Sequence, residues 1–424
     1  MQPSLQIQVS PDDLEYQAFA SQNLVQPDDI DEINREEPMI KCILNPFLSA
    51  KKEVPHFVSG DQIEAIKFFH QSLPGYAYTP LLKLEGLAAK LKINSLILKD
   101  ESQRFGLKAF KVLGASYAIA KEIQRLLGLE DGRVSFDVIT ANPNVLKSLT
   151  FITATDGNHG RAVAWCAEQF GCNAIVFMPK GTSKARLEAI QAHGAQAEIT
   201  ELNYDETVVF SARQAKENDW VLLQDSSWEG YQAVPKHIMQ GYFSLVSEFA
   251  DQTTEWPTHV IAQAGVGSFA ASVFSYFLAS PKALPKLILV EPTGAACYFN
   301  SIQIGDGEPH LTKELNTMMA GLSCGQPSIL AWDIIKSNCD AFVVCEDEIA
   351  IKGMQLLANP ISNDAVIVSG ESGAAPIGFL HEICTNQRHR LIKEELSLDD
   401  NSRVLIFSTE GDTDPKTYQE YSKL

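Results

Sequence analysis

The sequence predicts an α/β protein built on open, mainly parallel sheets with helices on both faces, and three observations carry that prediction. From about Pro55 to the C-terminus, short β-branched runs alternate with segments of helical length. No fixed-period repeat or low-complexity tract interrupts the alternation. A hydrophobic fraction of 45 % beside 21 % charged residues is enough to bury a sizeable core. Strand, crossover, strand in succession is what lays strands parallel and puts helices on the sheet faces. At roughly 100 to 200 residues per domain, a chain of 424 residues divides into two or three structural units.

In chain order, the segment Pro11 to Glu37 is dominated by Asp and Glu, with Arg35 its single basic residue, and reads as a solvated, weakly ordered arm. The alternation then starts with the run Ser95 to Lys99, followed by the apolar-spaced stretch from Phe110 to Leu127. Further strands are predicted at Thr150 to Ala154, Ala174 to Met178, Gln196 to Thr200, Val221 to Gln224, Val260 to Gln263, Leu287 to Val290, Ala341 to Cys345, Ala365 to Ser369 and Val404 to Ser408.

Composition excludes several classes of function. With 34 Lys and Arg against 53 Asp and Glu, the net charge of −19 argues against nucleic acid as a partner, because phosphate binding needs a concentrated positive surface. No apolar stretch approaches the roughly 18 residues of a membrane span, and no basic-then-apolar signal opens the chain, so a cytoplasmic protein is expected. Its 8 cysteines contain no C-x-x-C and suit a reducing compartment. Cys324, Cys339 and Cys345 form the nearest approach to a cluster and read as buried structural thiols, so no metal site is expected.

Ligands of open parallel sheets bind beyond the C-terminal ends of the strands, and the loops there carry the chemistry. In the first, Lys111 stands at the start of a helix between Phe110 and Val112, where apolar neighbours and the positive helix end lower an amine's pKa and make it a nucleophile. The alternative is a surface lysine with a packed stem. In the second, Thr155-Asp156-Gly157-Asn158-His159-Gly160 opens a helix whose free N–H groups form an anion site. Asp156 is either a functional carboxylate or a helix cap.

The third loop, Gly265-Val266-Gly267-Ser268-Phe269-Ala270, satisfies the dinucleotide pattern G-x-G-x-x-A, with Glu291 placed as a ribose-binding acid. Because a phosphate monoester uses the same N–H cradle, the pattern certifies phosphate better than nucleotide. The fourth feature pairs Ser369 to Ala374 with Ser408 to Asp414, whose hydroxyls and carboxylates either meet a heterocycle's nitrogen or serve as turns and caps.

These motifs, in this order, resemble the fold-type II pyridoxal-phosphate enzymes, the tryptophan-synthase β-like group, and within it the diaminopropionate ammonia-lyases. The matching strings are Arg104 to Leu107, Thr155 to Arg161, Gln224-Asp225 with Trp228 to Tyr231, Ala320 to Gly325, and Ser408 to Asp414, and the likeness runs from about Tyr76 to Tyr418. Lys108 departs from the pattern, which has Asn there, and is read as solvent-facing. The acidic arm has no counterpart.

The resemblance implies two doubly wound open α/β sheets: an arm of residues 1–37, a large cofactor-binding domain of 38–111 and 230–424, and a small domain of 112–229. It implies pyridoxal 5′-phosphate carried by Lys111, with Gly265, Val266, Gly267 and Ser268 around its phosphate, Asn158 beside its ring hydroxyl, and Ser408, ahead of Thr409, at its ring nitrogen. The substrate is then a small amino acid, 2,3-diaminopropionate, held by Thr155, Asp156, Gly157, His159 and Asp225 and converted with water to pyruvate and two ammonia. Lys111, Asp156 and Asp225 are the catalytic candidates, and a homodimer is expected. A serine or threonine dehydratase shares the scaffold but offers no second ammonium to Asp156 and Asp225. An NAD oxidoreductase accounts for the Gly265 loop alone, and a cofactor carrier without catalysis leaves the carboxylates idle.

Overall fold

Two sheets organise residues 40–130, 132–313 and 315–423, which this computed structural model describes; the expected acidic arm lies outside the described residues. The strands are β1 (Ile40–Leu44), β2 (Leu81–Lys83), β3 (Ser95–Asp100), β4 (Thr150–Ala154), β5 (Asn173–Met178), β6 (Gln196–Ile199), β7 (Val221–Leu222), β8 (His259–Gln263), β9 (Lys286–Pro292), β10 (Ala341–Cys345) and β11 (Arg403–Ser408). A seven-stranded sheet runs β1-β10-β9-β8-β11-β3-β2 and a four-stranded sheet runs β6-β5-β4-β7. Every pairing is parallel except those of β1 and β2, the two antiparallel edges of the larger sheet.

Burial explains the strand composition. All five residues of β8 and of β10 are buried, as continuous apolar runs must be in the middle of a sheet covered on both faces. The run Ala365 to Ser369 has strand composition but is no strand. Ile367 points inward and its N–H bonds Leu357 O, while Val366 and Val368 stay exposed, so the alternation is satisfied without a ladder. The predicted Val221 to Gln224 strand shortens to Val221–Leu222, because the N–H of Gln224 donates to the Tyr231 hydroxyl instead.

Six helices matter below: α1 (Val112–Leu126), α2 (Asn158–Phe170), α3 (Lys184–Gln191), α4 (Phe243–Gln252), α5 (Ser268–Ala279) and α6 (Glu371–Thr385). Among the described residues no helix is long and apolar enough to cross a membrane.

The turn from β3 to α1 is irregular, with Phe105, Gly106 and Lys108 all at positive φ. Two of these are not glycine, so contacts beyond local backbone preference must hold them there. Arg104, 1 % exposed, does so. Its Nε and Nη2 donate to Glu101 at 2.8 Å each, and Nη1 and Nη2 reach Glu248 of α4 at 2.7 and 2.8 Å. Fully buried Lys99 adds a 2.7 Å bond to Glu248, so two cations and two carboxylates compensate one another. Burial alone would raise Glu248, but Arg104 and Lys99 bring it down to about 2.

Arg104→Leu leaves two buried carboxylates short of a partner and is expected to destabilise the protein by about 3–5 kcal/mol. The urea midpoint measures this, and a shift equivalent to less than about 0.5 kcal/mol would show the network to be dispensable.

Candidate active site

The β3–α1 turn ends at Lys111, the residue immediately before α1. It is zipped to the loop after β11, since Phe110 N–H donates to Thr409 O and Gly411 N–H to Lys108 O. Lys108 itself turns outward to Asp412, as expected. Lys111 faces a cavity of about 720 Å³, mouth included, which gathers post-strand loops of both sheets. Its amine lies 2.7 Å from Asp225 Oδ2, three residues beyond β7.

Local sequence predicts a lowered lysine pKa, and the structure reverses the sign. Burial does disfavour the charged amine, but Asp225, Tyr242 and Asp156 outweigh it and hold Lys111 above the ordinary lysine range. Asp225 responds in kind. Burial would raise it, while Lys111 and then His159 bring it down to about 2.

Of the residues singled out from sequence, Lys111, Asp156, Asn158, Asp225, Gly265, Val266, Gly267 and Ser268 line this one cavity. Four others stand behind its wall. Thr155 Oγ1 accepts the N–H groups of Gly157 and Gly160 at 3.0 and 3.1 Å and so builds the turn into α2. Gly157 is the N-terminal cap of α2 and no side chain caps there, which leaves Asp156 free of the capping role. His159 bonds Leu223 O through Nε2 at 2.7 Å and places Nδ1 3.9 Å from Asp225, and burial lowers its pKa against the pull of that carboxylate. Ser408 is fully buried and donates to Ser369 Oγ at 2.8 Å, with its neighbours Thr409 and Glu410 on the wall.

Several wall residues had no individual site role in the sequence reading, although Glu410 lies in the carboxylate-bearing loop it singled out. Tyr204 opens a helix after β6, where the post-strand rule applied but no motif marked it. Cys324 was read as a structural thiol and instead faces the cavity, its thiol pushed up by burial. Glu410 accepts a hydrogen bond from Asn158 Nδ2. Gln263 lines the wall with a buried Oε1 that has no hydrogen-bond partner.

The glycine loop between β8 and α5 meets the requirements of a phosphate cradle. Gly267 has φ +94°, and a Cβ there would lie 2.0 Å from the Tyr298 hydroxyl; on Gly265 it would lie 2.9 Å from Cys324 Sγ. The loop can follow this path only with glycine at both positions, and it leads into the first N–H groups of α5, which lack intrahelical partners. Ser268 Oγ donates to Asp225 O at 2.7 Å, tying the cradle to the carboxylate beside Lys111. Glu291, the ribose-binding acid of a dinucleotide reading, instead accepts the N–H groups of Tyr298 and Phe299 at 2.9 and 2.8 Å. A buried amine, an adjacent N–H cradle and an orphaned amide oxygen together fit pyridoxal phosphate.

A sequence profile of the family described as "Pyridoxal-phosphate dependent enzyme" matches residues 73–395. The chain is 45 % identical to the diaminopropionate ammonia-lyase of Salmonella typhimurium over 373 residues, 86 % of this chain and 92 % of that one. Among solved structures it resembles the Escherichia coli diaminopropionate ammonia lyase in complex with an aminoacrylate-PLP azomethine reaction intermediate, with TM-score 0.83 and 40 % identity over 90 % of this chain and 96 % of that one. The same E. coli enzyme in complex with D-serine matches with TM-score 0.82, at the same identity and coverage.

Two measurements test the site as built. Gly267→Ala is expected to weaken pyridoxal phosphate binding by tenfold or more, an order-of-magnitude figure from the clash and the positive φ, and unchanged affinity by fluorescence titration would remove the cradle assignment. The second concerns Asp225. A carboxylate depressed to about 2 adds stability above its unfolded value of about 4 and loses it as pH falls through the folded value. The stability gap between cofactor-free wild type and Asp225→Asn should therefore narrow as pH drops from about 4 towards 2. Urea midpoints measure it, and a constant gap would contradict the pairing.

Proposed function

The chain belongs to the pyridoxal-phosphate-dependent enzymes, within them to the diaminopropionate ammonia-lyases, and we propose that Lys111, Asp156 and Asp225 carry out its reaction. The reaction is elimination of ammonia from diaminopropionate with pyridoxal 5′-phosphate as cofactor. With water, 2,3-diaminopropionate gives pyruvate and two ammonia. The observation that carries the reading is a cavity holding one buried lysine amine and three carboxylates on different loops, Asp156, Asp225 and Glu410, the last already bonded by Asn158. A substrate with a second ammonium is what two such carboxylates suit, and a hydroxy amino acid has none.

Pyridoxal phosphate, when bound, supplies the electron sink for the pair left on the substrate's α-carbon. The protein's part is positioning and proton handling. Lys111 would carry the cofactor, and its amine, when free, would take or return a proton. The loop from Gly265 to Ser268 holds the phosphate. Asn158 would stand beside the ring hydroxyl, and Thr409, which lines the wall where Ser408 does not, would meet the ring nitrogen. A hydroxyl there leaves the ring less protonated than a carboxylate would, which favours elimination over deeper carbanion chemistry. Thr155, Gly157 and His159 shape the turn and helix end that receive the substrate carboxylate.

Asp225 receives the β-ammonium when Lys111 is engaged, because its present partner is then withdrawn. Asp156 takes the α-proton of the D-isomer and Lys111 that of the L-isomer, from opposite sides. Two domains frame the cavity in this reading, residues 112–229 and the flanking 38–111 with 230–424, which agrees with the four-stranded sheet falling wholly within the first range. We propose further that the enzyme is a cytosolic homodimer. Eight free cysteines support the compartment, and light scattering reads the assembly.

Lys111→Ala is expected to abolish turnover, and borohydride reduction of the native holoenzyme should leave the pyridoxyl group on Lys111; a label on Lys108 would overturn the assignment. Asp156→Asn should keep the cofactor spectrum and lower turnover of D-2,3-diaminopropionate by about 100-fold, the scale of a lost general base, with a smaller loss on the L-isomer. Equal losses of affinity for both isomers would make Asp156 a ligand of the ammonium only. Near-native turnover of both would remove it from catalysis.

A further inference from the structure

We propose that Arg186 is a positioning residue of this site, strapping the Asp156–Asn158 turn to Glu371 and Glu410 on the other side of the cavity. Arg186 belongs to α3, beside the four-stranded sheet, whereas Glu371 opens α6 and Glu410 follows β11 of the seven-stranded sheet. The functional weight of the turn rests on the reading of Asp156 above.

The contacts close a ring. Arg186 Nη1 donates to Asp156 O at 3.2 Å, and Nη2 lies 3.5 Å from Glu371 Oε1. The next residue along, Ser372, donates its N–H to Glu410 Oε1 at 3.1 Å. Glu410 Oε2 accepts from Asn158 Nδ2, which returns the ring to the turn two residues from where it began. The arginine stem completes the grip, since a Cβ on Gly157 would come within 3.1 Å of Arg186 Cδ.

Neither Arg186 nor Glu371 reaches the cavity wall, so both act on the turn and not on the substrate. Both are largely buried, with side chains 16 % and 4 % exposed. Electrostatics makes the arginine hard to replace. Burial and Glu410 raise Glu371 while Arg186 opposes them, so without the guanidinium two buried carboxylates face each other. Against its own burial, Arg186 is held charged by Asp156, Glu371, Glu410 and Asp414. The planar fork spans a carbonyl and a carboxylate at once, which an ammonium does less well. Misplacement of a catalytic carboxylate by about 1 Å costs on the order of 100-fold in rate, so a turn carrying both Asp156 and Asn158 gains from being held from two sides.

The test uses full-length holoenzyme with Arg186→Ala and Arg186→Lys. Hydrogen–deuterium exchange of the peptide spanning Thr155 to Arg161 should quicken by about tenfold or more in the Ala variant and be partly restored by Lys, with seven-stranded-sheet peptides unchanged. The kcat on diaminopropionate should fall by about tenfold or more with a smaller change in KM and the cofactor spectrum retained. Wild-type exchange in that peptide would overturn the proposal, as would an acceleration spread evenly over both sheets. Asp156→Asn measured alongside separates the two readings. Native turnover in that variant, with a loosened turn in Arg186→Ala, would retire Asp156 as a base and leave the strap standing.

Discussion

Arg104 has almost no contact with solvent, yet the placement of Lys111 depends on it. The chain leaves β3, passes through three residues at positive φ, and must enter α1 with Lys111 facing the cavity. Local preference opposes that path. The guanidinium supplies the constraint by bridging Glu101, in the turn itself, to Glu248 on α4, while Lys99 neutralises the remaining charge. A turn that strand and helix propensity leave undetermined thereby acquires one conformation. The zipper to the 408–411 loop then sets the lysine's height relative to the other post-strand loops.

The second constraint is charge balance around Lys111. A buried ammonium without a partner would shed its proton, but Asp225 at 2.7 Å keeps it. The same carboxylate is tied through its backbone carbonyl to Ser268 at the start of α5, so the amine, its counter-ion and the phosphate cradle form one connected unit. When the amine is engaged elsewhere, Asp225 loses the partner that depressed it and burial raises it, so an ammonium is the group that best takes the vacated position. In the proposed reaction, the pair that stabilises the resting site would also receive the second ammonium of a diamino acid.

A third layer surrounds the turn before α2. Thr155 spends its hydroxyl on two backbone N–H groups, His159 supports Asp225, and Arg186 with Glu371 grips from outside. None of these lines the cavity, and each limits how the residues that do line it can move.

By itself, the sequence determined the α/β class, nearly all of the parallel strands and the loops in which the chemistry sits, because strand periodicity, glycine spacing and helix entry are local properties. Lys111, Asp156, Asn158 and the Gly265 to Ser268 loop were legible for that reason, and Asp225 through the family resemblance. Tertiary structure decided the rest. The run Ala365 to Ser369 has the composition of a strand and lacks one because its backbone bonds a single carbonyl in place of a ladder. The pKa of Lys111 rises instead of falling because a carboxylate 114 residues away in sequence lies beside it. Tyr204, Cys324 and Gln263 reach the cavity wall, and Arg186 reaches the turn behind it, only once two sheets bring distant loops together. Contacts between residues so far apart in sequence leave no periodicity to read.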